Sequence, residues 1–167
     1  TITGPGSVNV YSAIGYGLYV YGGANANIHH NNIEHIRDWL LPVSGMQSGI
    51  AIRVGQTDLG AGTATIANNT ITNFQKGGIV VDFTGSSATI TGNTITGIGE
   101  NAVIGQNGIQ ISRSATATIT GNSITALSYV AGNEWDWCAA GVLIWDAGNV
   151  TFGGGNNFAG NDTHVYI

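Results

Sequence analysis

Charge is scarce in this chain. Its 167 residues hold 4 Lys or Arg and 9 Asp or Glu, 8% in all, against about 25% in an ordinary soluble domain. The net charge is −5, and the few bases (Arg37, Arg53, Lys76, Arg113) are scattered. Nucleic-acid binding needs clustered Lys and Arg, so that class of partner is excluded. A single cysteine, Cys138, excludes an internal disulfide framework and any Cys-based zinc site. Long apolar runs are missing as well. Stretches such as Ile79–Val81 are broken by Gly, Asn, Thr and Ser, far short of the ~20 apolar residues of a spanning helix. No membrane span is expected, and the surface must be neutral and polar. Proline falls to 2 residues while glycine reaches 27.

What is present is a repeat. Gly followed by alternating residues recurs at Gly17-Leu-Tyr-Val-Tyr21, Gly49-Ile-Ala-Ile-Arg53, Gly78-Ile-Val-Val-Asp82, Gly108-Ile-Gln-Ile-Ser112 and Gly141-Val-Leu-Ile-Trp145. His164-Val-Tyr-Ile167 looks like a sixth start. A second block follows each time: Ala26-Asn-Ile28, Ala64-Thr-Ile66, Ala88-Thr-Ile90, Ala117-Thr-Ile119 and, more loosely, Val150-Thr-Phe152. A third comes three residues later, at Asn31-Asn-Ile33, Asn69-Thr-Ile71, Asn93-Thr-Ile95 and Asn122-Ser-Ile124, with Asn156-Asn-Phe158 shifted by one. Each unit of roughly 30 residues thus reads as three short period-2 strands separated by turns. The expected fold is all-β: a right-handed parallel β-helix of about five to six coils in three parallel sheets, forming one domain over residues 1–167. Period 2 sends alternate side chains inward, so Ile50 and Ile52, Ile79 and Val81, and Ile109 and Ile111 are expected to stack in the core. The recurring Asn is expected at a sharp corner, adopting the left-handed conformation and bonding its copy in the next coil.

Chemistry is sought where coils depart from the repeat. Two excursions follow third strands, Ile36-Arg-Asp-Trp-Leu-Leu-Pro-Val43 and Tyr129-Val-Ala-Gly-Asn-Glu-Trp-Asp-Trp-Cys138, so both should lie on one side. Their Trp39, Trp135 and Trp137 could stack on sugar rings, with Glu134 and Asp136 beside them as acids; the alternative is that these loops fold back and bury their tryptophans. A second candidate is the outward column of the first strand: Tyr21, Arg53, Asp82, Ser112 and Trp145, with Arg113 and Asp146 one place further. Arg53 and Asp82 fall on adjacent coils, close enough for an ion pair. As a polysaccharide groove this face would have Tyr19, Tyr21, Gln110 and Trp145 as its floor. His29 and His35 could share a face beside His30, but no cluster with ligand spacing completes a metal site, and no metal is expected. Thr89-Ile-Thr91 over Thr118-Ile-Thr120, and Thr94-Ile-Thr96 beside Thr70-Ile-Thr72 and Ser123-Ile-Thr125, form arrays like those of ice-binding β-solenoids.

The motif Gly-Ile-x-Ile…Ala-Thr-Ile-Thr-Gly-Asn-Thr-Ile-Thr resembles the right-handed parallel β-helix repeat proteins of the pectate-lyase-like superfamily, in particular a secreted bacterial group without established activity. The resemblance covers essentially the whole chain. It implies a secreted or cell-surface module whose partner is a polysaccharide or surface glycan. Enzymes of that superfamily act on acidic glycans, and pectate lyases add calcium. Asp82 with Arg53 and Arg113 is a thin version of the lyase pattern, and the paired aspartates of polygalacturonases are not met. The primary expectation is therefore a noncatalytic polysaccharide-binding or self-assembling module that needs no cofactor. The rival is a lyase, hydrolase or epimerase acting through Asp82, Arg53 and Arg113 or through Glu134 and Asp136. Thr1-Ile-Thr3 and Val165-Tyr-Ile167 fall in mid-coil. The chain is thus expected to be a processed or partial segment, or to stack end to end with copies of itself.

Overall fold

In the computed structural model, the described residues are 1–3, 15–37, 48–130 and 139–167. Among them there is no helix, and hence none long and apolar enough to cross a membrane. The strands form three parallel sheets. Sheet 1 holds β2 (Tyr16–Val20), β5 (Ile50–Val54), β8 (Gly77–Asp82), β11 (Asn107–Ser112), β14 (Ala140–Trp145) and β17 (Thr163–Tyr166). Sheet 2 holds β3 (Asn25–His29), β6 (Thr63–Ala67), β9 (Ser87–Thr91), β12 (Thr116–Thr120) and β15 (Val150–Phe152). Sheet 3 holds β1 (Ile2–Thr3), β4 (Asn32–Glu34), β7 (Thr70–Thr72), β10 (Thr94–Asn101), β13 (Ser123–Tyr129) and β16 (Asn157–Ala159). Each strand pairs with the same strand of the next coil, about 4.8 Å away.

The core follows from this register. Ile28, Ile66, Ile90 and Ile119 form one column that ends on the exposed Phe152, and Ile33, Ile71, Ile95, Ile124 and the partly buried Phe158 another. Ile52, Ile79, Ile109 and Val142 form a third from sheet 1. A single coil leaves such a row half bare; stacking covers it on both sides. Burying each isoleucine contributes about 1.5–3 kcal/mol. One expected core residue is displaced: Ala51, not Ile50, joins Ile52 and Val54 in the core cluster. Ile50 is buried but level with Gly77 and Tyr16, whose neighbours face outward.

The Asn column is a continuous ladder. Asn31, Asn69, Asn93 and Asn122 each donate from backbone N and Nδ2 to the Oδ1 of the next member, and the chain of bonds ends on Asn156. The left-handed residue is not the Asn itself, as expected from sequence, but the one before it. His30, Asn68, Gly92, Gly121 and Gly155 carry φ between 55° and 79°. The corner residue turns the chain, which frees the Asn side chain to lie along the stack.

The two other corners differ in character. The connections from sheet 3 to the next sheet-1 strand vary most in length along the sequence. The two Trp-bearing excursions fall between a sheet-3 and a sheet-1 strand in the sequence, but most of their length, residues 38–47 and 131–138, lies outside the described residues.

Candidate functional site

The outer face of sheet 1 gathers aromatic and charged side chains that the other two faces largely lack. Parallel pairing sets its columns. Tyr19 is level with Arg53, Arg53 with Val80, Val80 with Gln110 and Gln110 with Leu143. The next outward column runs Asp82, Ser112, Trp145. Arg53 therefore does not share the Asp82 column, as the spacing of glycines had implied; it sits two residues back. The reason lies at Gly49, a left-handed corner (φ 73°) that precedes the strand, so that Gly17 is level with Ala51 instead.

The ion pair forms nonetheless. Arg53 reaches diagonally, donating from Nη2 to Asp82 Oδ2 and from Nε to the Gly55 carbonyl at 3.2 Å. Arg113 grips the same carboxylate from the other side, Nε to Oδ1 at 2.7 Å and Nη2 to Oδ2. Ser112 Oγ adds a third donor to Oδ1 at 2.9 Å. Gly55, whose carbonyl accepts from Arg53, lies tight against the next coil: its φ is 77°, and a Cβ there would fall 1.9 Å from Ser86 Oγ and 2.3 Å from the Asp82 backbone carbonyl oxygen. Asp82 is 2% exposed and Arg53 7%, whereas the Arg113 side chain is 43% exposed. Burial alone would raise the Asp82 pKa, but the hydrogen bonds from Arg113 and Ser112 and the charges of Arg53 and Arg113 outweigh it. The carboxyl is held below the usual range. The cluster carries two guanidinium charges against one carboxylate, and the half-exposed Arg113 also feels the charge of Asp58.

Beside this cluster lies an aromatic strip. The rings of Tyr16 and Tyr19 are 4.5 Å apart and those of Tyr19 and Tyr21 4.7 Å, all tilted. The Arg53 guanidinium sits 5.3 Å from the Tyr16 ring centre. Both Tyr16 and Tyr19 hydroxyls donate to Gln56 Oε1. Burial pushes the Tyr19 hydroxyl pKa up. Tyr21 and Trp145 are exposed. Gln110 accepts from Asn107 Nδ2 at 3.1 Å and donates to Ser112 Oγ at 3.2 Å, which ties it to the charged cluster. Tyr19, Tyr21, Arg53, Asp82, Gln110, Arg113 and Trp145 are thus all at or beside the outer face of sheet 1. Trp39, Glu134, Asp136, Trp135, Trp137 and Cys138 lie outside the described residues. Sequence reasoning missed Tyr16 and Gln56. Tyr16 sits one place before a repeat glycine, a visible signal, but Gln56 lies in a turn that no pattern marks.

The exposed side chains of sheet 2 differ. Thr65, Thr89, Thr118 and Thr151 are in register, as are Thr63, Ser87 and Thr116. They line a shallow depression of about 260 Å³ that contains no charged residue. It is on another face from Asp82. His29 and His35, which could have shared a face, have separate partners: His29 meets His30, Nδ1 to Nδ1 at 3.0 Å, while His35 meets Asn73. Among the described residues no group of three or more His, Cys, Asp or Glu is gathered as a metal site would require.

A family model described as a right-handed beta helix region matches residues 6–161. Comparison with curated proteins and with solved structures finds no match.

Proposed function

The chain belongs to the right-handed β-helix family, and from that premise we propose that it is a noncatalytic, secreted or cell-surface module binding polysaccharide along the outer face of sheet 1. The observation that carries this reading is the state of Asp82. It is the carboxylate at the centre of that face, and both its oxygens are engaged by Arg53, Arg113 and Ser112. A general acid needs a raised pKa and a free proton; Asp82 has the opposite shift. Calcium takes six to eight oxygen ligands, and a carboxylate pinned by two guanidiniums is a poor start for such a shell. The residues around Asp82 do not fit that ion.

The same face suits binding. Tyr16, Tyr19, Tyr21 and Trp145 offer ring faces for sugars. Gln56 and Gln110 offer amides for hydroxyls. The exposed edge of Arg113 favours acidic units. A glycan array combined with lyase-absorbance and reducing-sugar assays on acidic polysaccharides tests the proposal. Binding without turnover that is weakened by Tyr19→Ala and Trp145→Ala supports it. Turnover supports the rival enzymatic reading. Neither binding nor turnover, with light scattering that grows with concentration, supports assembly of copies through their strand edges.

A further inference from the structure

His29 and His30 take no part in the face described above. His29 ends β3, and His30 forms the left-handed corner that follows, with φ 55°. Both are exposed. Their Nδ1 atoms are 3.0 Å apart, and the two rings meet edge to face with planes at 86°. The fold does not ask for imidazole at either place. In the next coil Ala67 is in register with His29, and Asn68 holds the same corner at the same φ of 55°. Further along the stack the pair becomes Thr91-Gly92 and then Thr120-Gly121. One coil alone places two ring nitrogens where the others place small or turn-forming residues.

We propose that His29 and His30 form a surface binding site for a late first-row divalent metal ion, tightest for Cu(II). The geometry supports this class of ion. Imidazole nitrogens bind such ions at about 2.0–2.1 Å. Two nitrogens 3.0 Å apart then subtend about 94° at the ion, from the bond length just given. That is the cis angle of a square-planar or tetragonal centre, the preference of Cu(II) and Ni(II), and it is narrower than the tetrahedral angle of structural zinc. The near-perpendicular rings keep the two imidazoles from stacking, and rotation of their exposed side chains turns both Nδ1 lone pairs from each other toward one ion. In the metal-free state one Nδ1–H donates to the other Nδ1; metal binding displaces that proton, which is exchanged through solvent to Nε2 of the same ring, so both imidazoles bind in their neutral form. Water completes the coordination. His35 is not a ligand: its Nδ1 lies 2.6 Å from Asn73 Nδ2 and its Nε2 is 4.0 Å from Glu34.

The neighbouring coil supplies the control. The double variant His29→Ala/His30→Asn copies Ala67-Asn68, so it keeps the strand and the corner, and its melting temperature is expected to match the parent. Cu(II) alone is titrated into the full chain, with calorimetry for stoichiometry and electron paramagnetic resonance for the ligands. The expected result is one equivalent of Cu(II) with nitrogen hyperfine structure from two equatorial ligands. The double variant should lose about tenfold or more in affinity, while His35→Asn, which copies Asn73, should lose none. The order of affinity should be Cu(II) above Ni(II) and Zn(II). Unchanged copper binding in the double variant, or equal loss in His35→Asn, overturns the site. Zn(II) binding more tightly than Cu(II) overturns the square-planar assignment. Should the double variant melt lower than the parent, His29→Ala alone, at a strand position where Ala is already used, gives the same reading.

Discussion

The Asn ladder and the Arg53–Asp82–Arg113 cluster both bury polar groups in the same stack of coils, yet only the ladder recurs in every coil. The difference is one of charge and complementarity. An Asn amide carries a donor and an acceptor, so each copy satisfies the next and the ladder extends without net charge. A carboxylate stacked on a carboxylate one rung away would be repelled by about 3 kcal/mol at an effective dielectric constant near 20. Asp82 must therefore be answered by different residues in its neighbours: Arg53 on one side, Ser112 and Arg113 on the other. In a stacked fold, polar groups that can repeat serve the scaffold, and those that cannot repeat mark one coil as different.

That contrast can be broken at either end. The largest effect is expected in mid-ladder. Asn93→Ala removes the acceptor of Asn69 N and Nδ2, both at 3.0 Å, and the donor to the Ile66 carbonyl at 2.9 Å. With several buried groups left unpaired at about 1–3 kcal/mol each, unfolding by urea should show a loss of about 4 kcal/mol. Asp82→Ala comes next. It leaves the Arg53 charge buried without a partner, and a loss of about 3 kcal/mol is expected.

The same carboxylate gives an acid dependence whose sign follows from its depressed pKa. The unfolded chain, with aspartates near 3.9, binds the proton first as pH falls. The stabilisation is fully present above that value and is lost as pH drops through the lower folded value. Asp162 is depressed as well: against the raising effect of burial, its carboxylate accepts from Ala139 N and Tyr129 N. Asp82→Asn should therefore flatten part of the acid limb of the stability curve, leaving the part due to Asp162. Arg113→Ala removes a half-exposed partner and should cost about 1 kcal/mol or less, shrinking further in high salt. The smallest effect is reserved for the exposed threonines. Thr118→Val should change stability by no more than about 0.5 kcal/mol. Assays for thermal hysteresis on the parent should find none, because the Thr rows of sheet 2 are short and one is interrupted by Ser87.

The sequence carried the repeat, the three sheets, the inward isoleucines and the Asn column, because each recurs and recurrence survives local noise. Register was the weak point. A slip of two residues leaves the inward–outward alternation unchanged, so hydrophobic pattern cannot separate Gly49 as a strand start from Gly49 as a corner. Arg53 was placed in the wrong column for that reason, although its reach still delivered the ion pair with Asp82. The left-handed corner was assigned to the Asn instead of its predecessor because Asn31, Asn69, Asn93 and Asn122 recur while His30, Asn68, Gly92 and Gly121 do not look alike. The His29–His30 contact was illegible for a related reason: strand parity sends consecutive side chains apart, and only the positive φ of His30 brings the rings together.

Because every strand pairs only with its equivalent in the coils above and below, the hydrogen bonds of all three sheets run along the stack axis. Tension applied along that axis loads the bonds of one coil at a time, as in peeling, while tension across it must shear many coils together. The molecule is thus mechanically anisotropic. Pulled end to end, it should lengthen in discrete steps, each releasing one coil of about 30 residues and about 100 Å of chain.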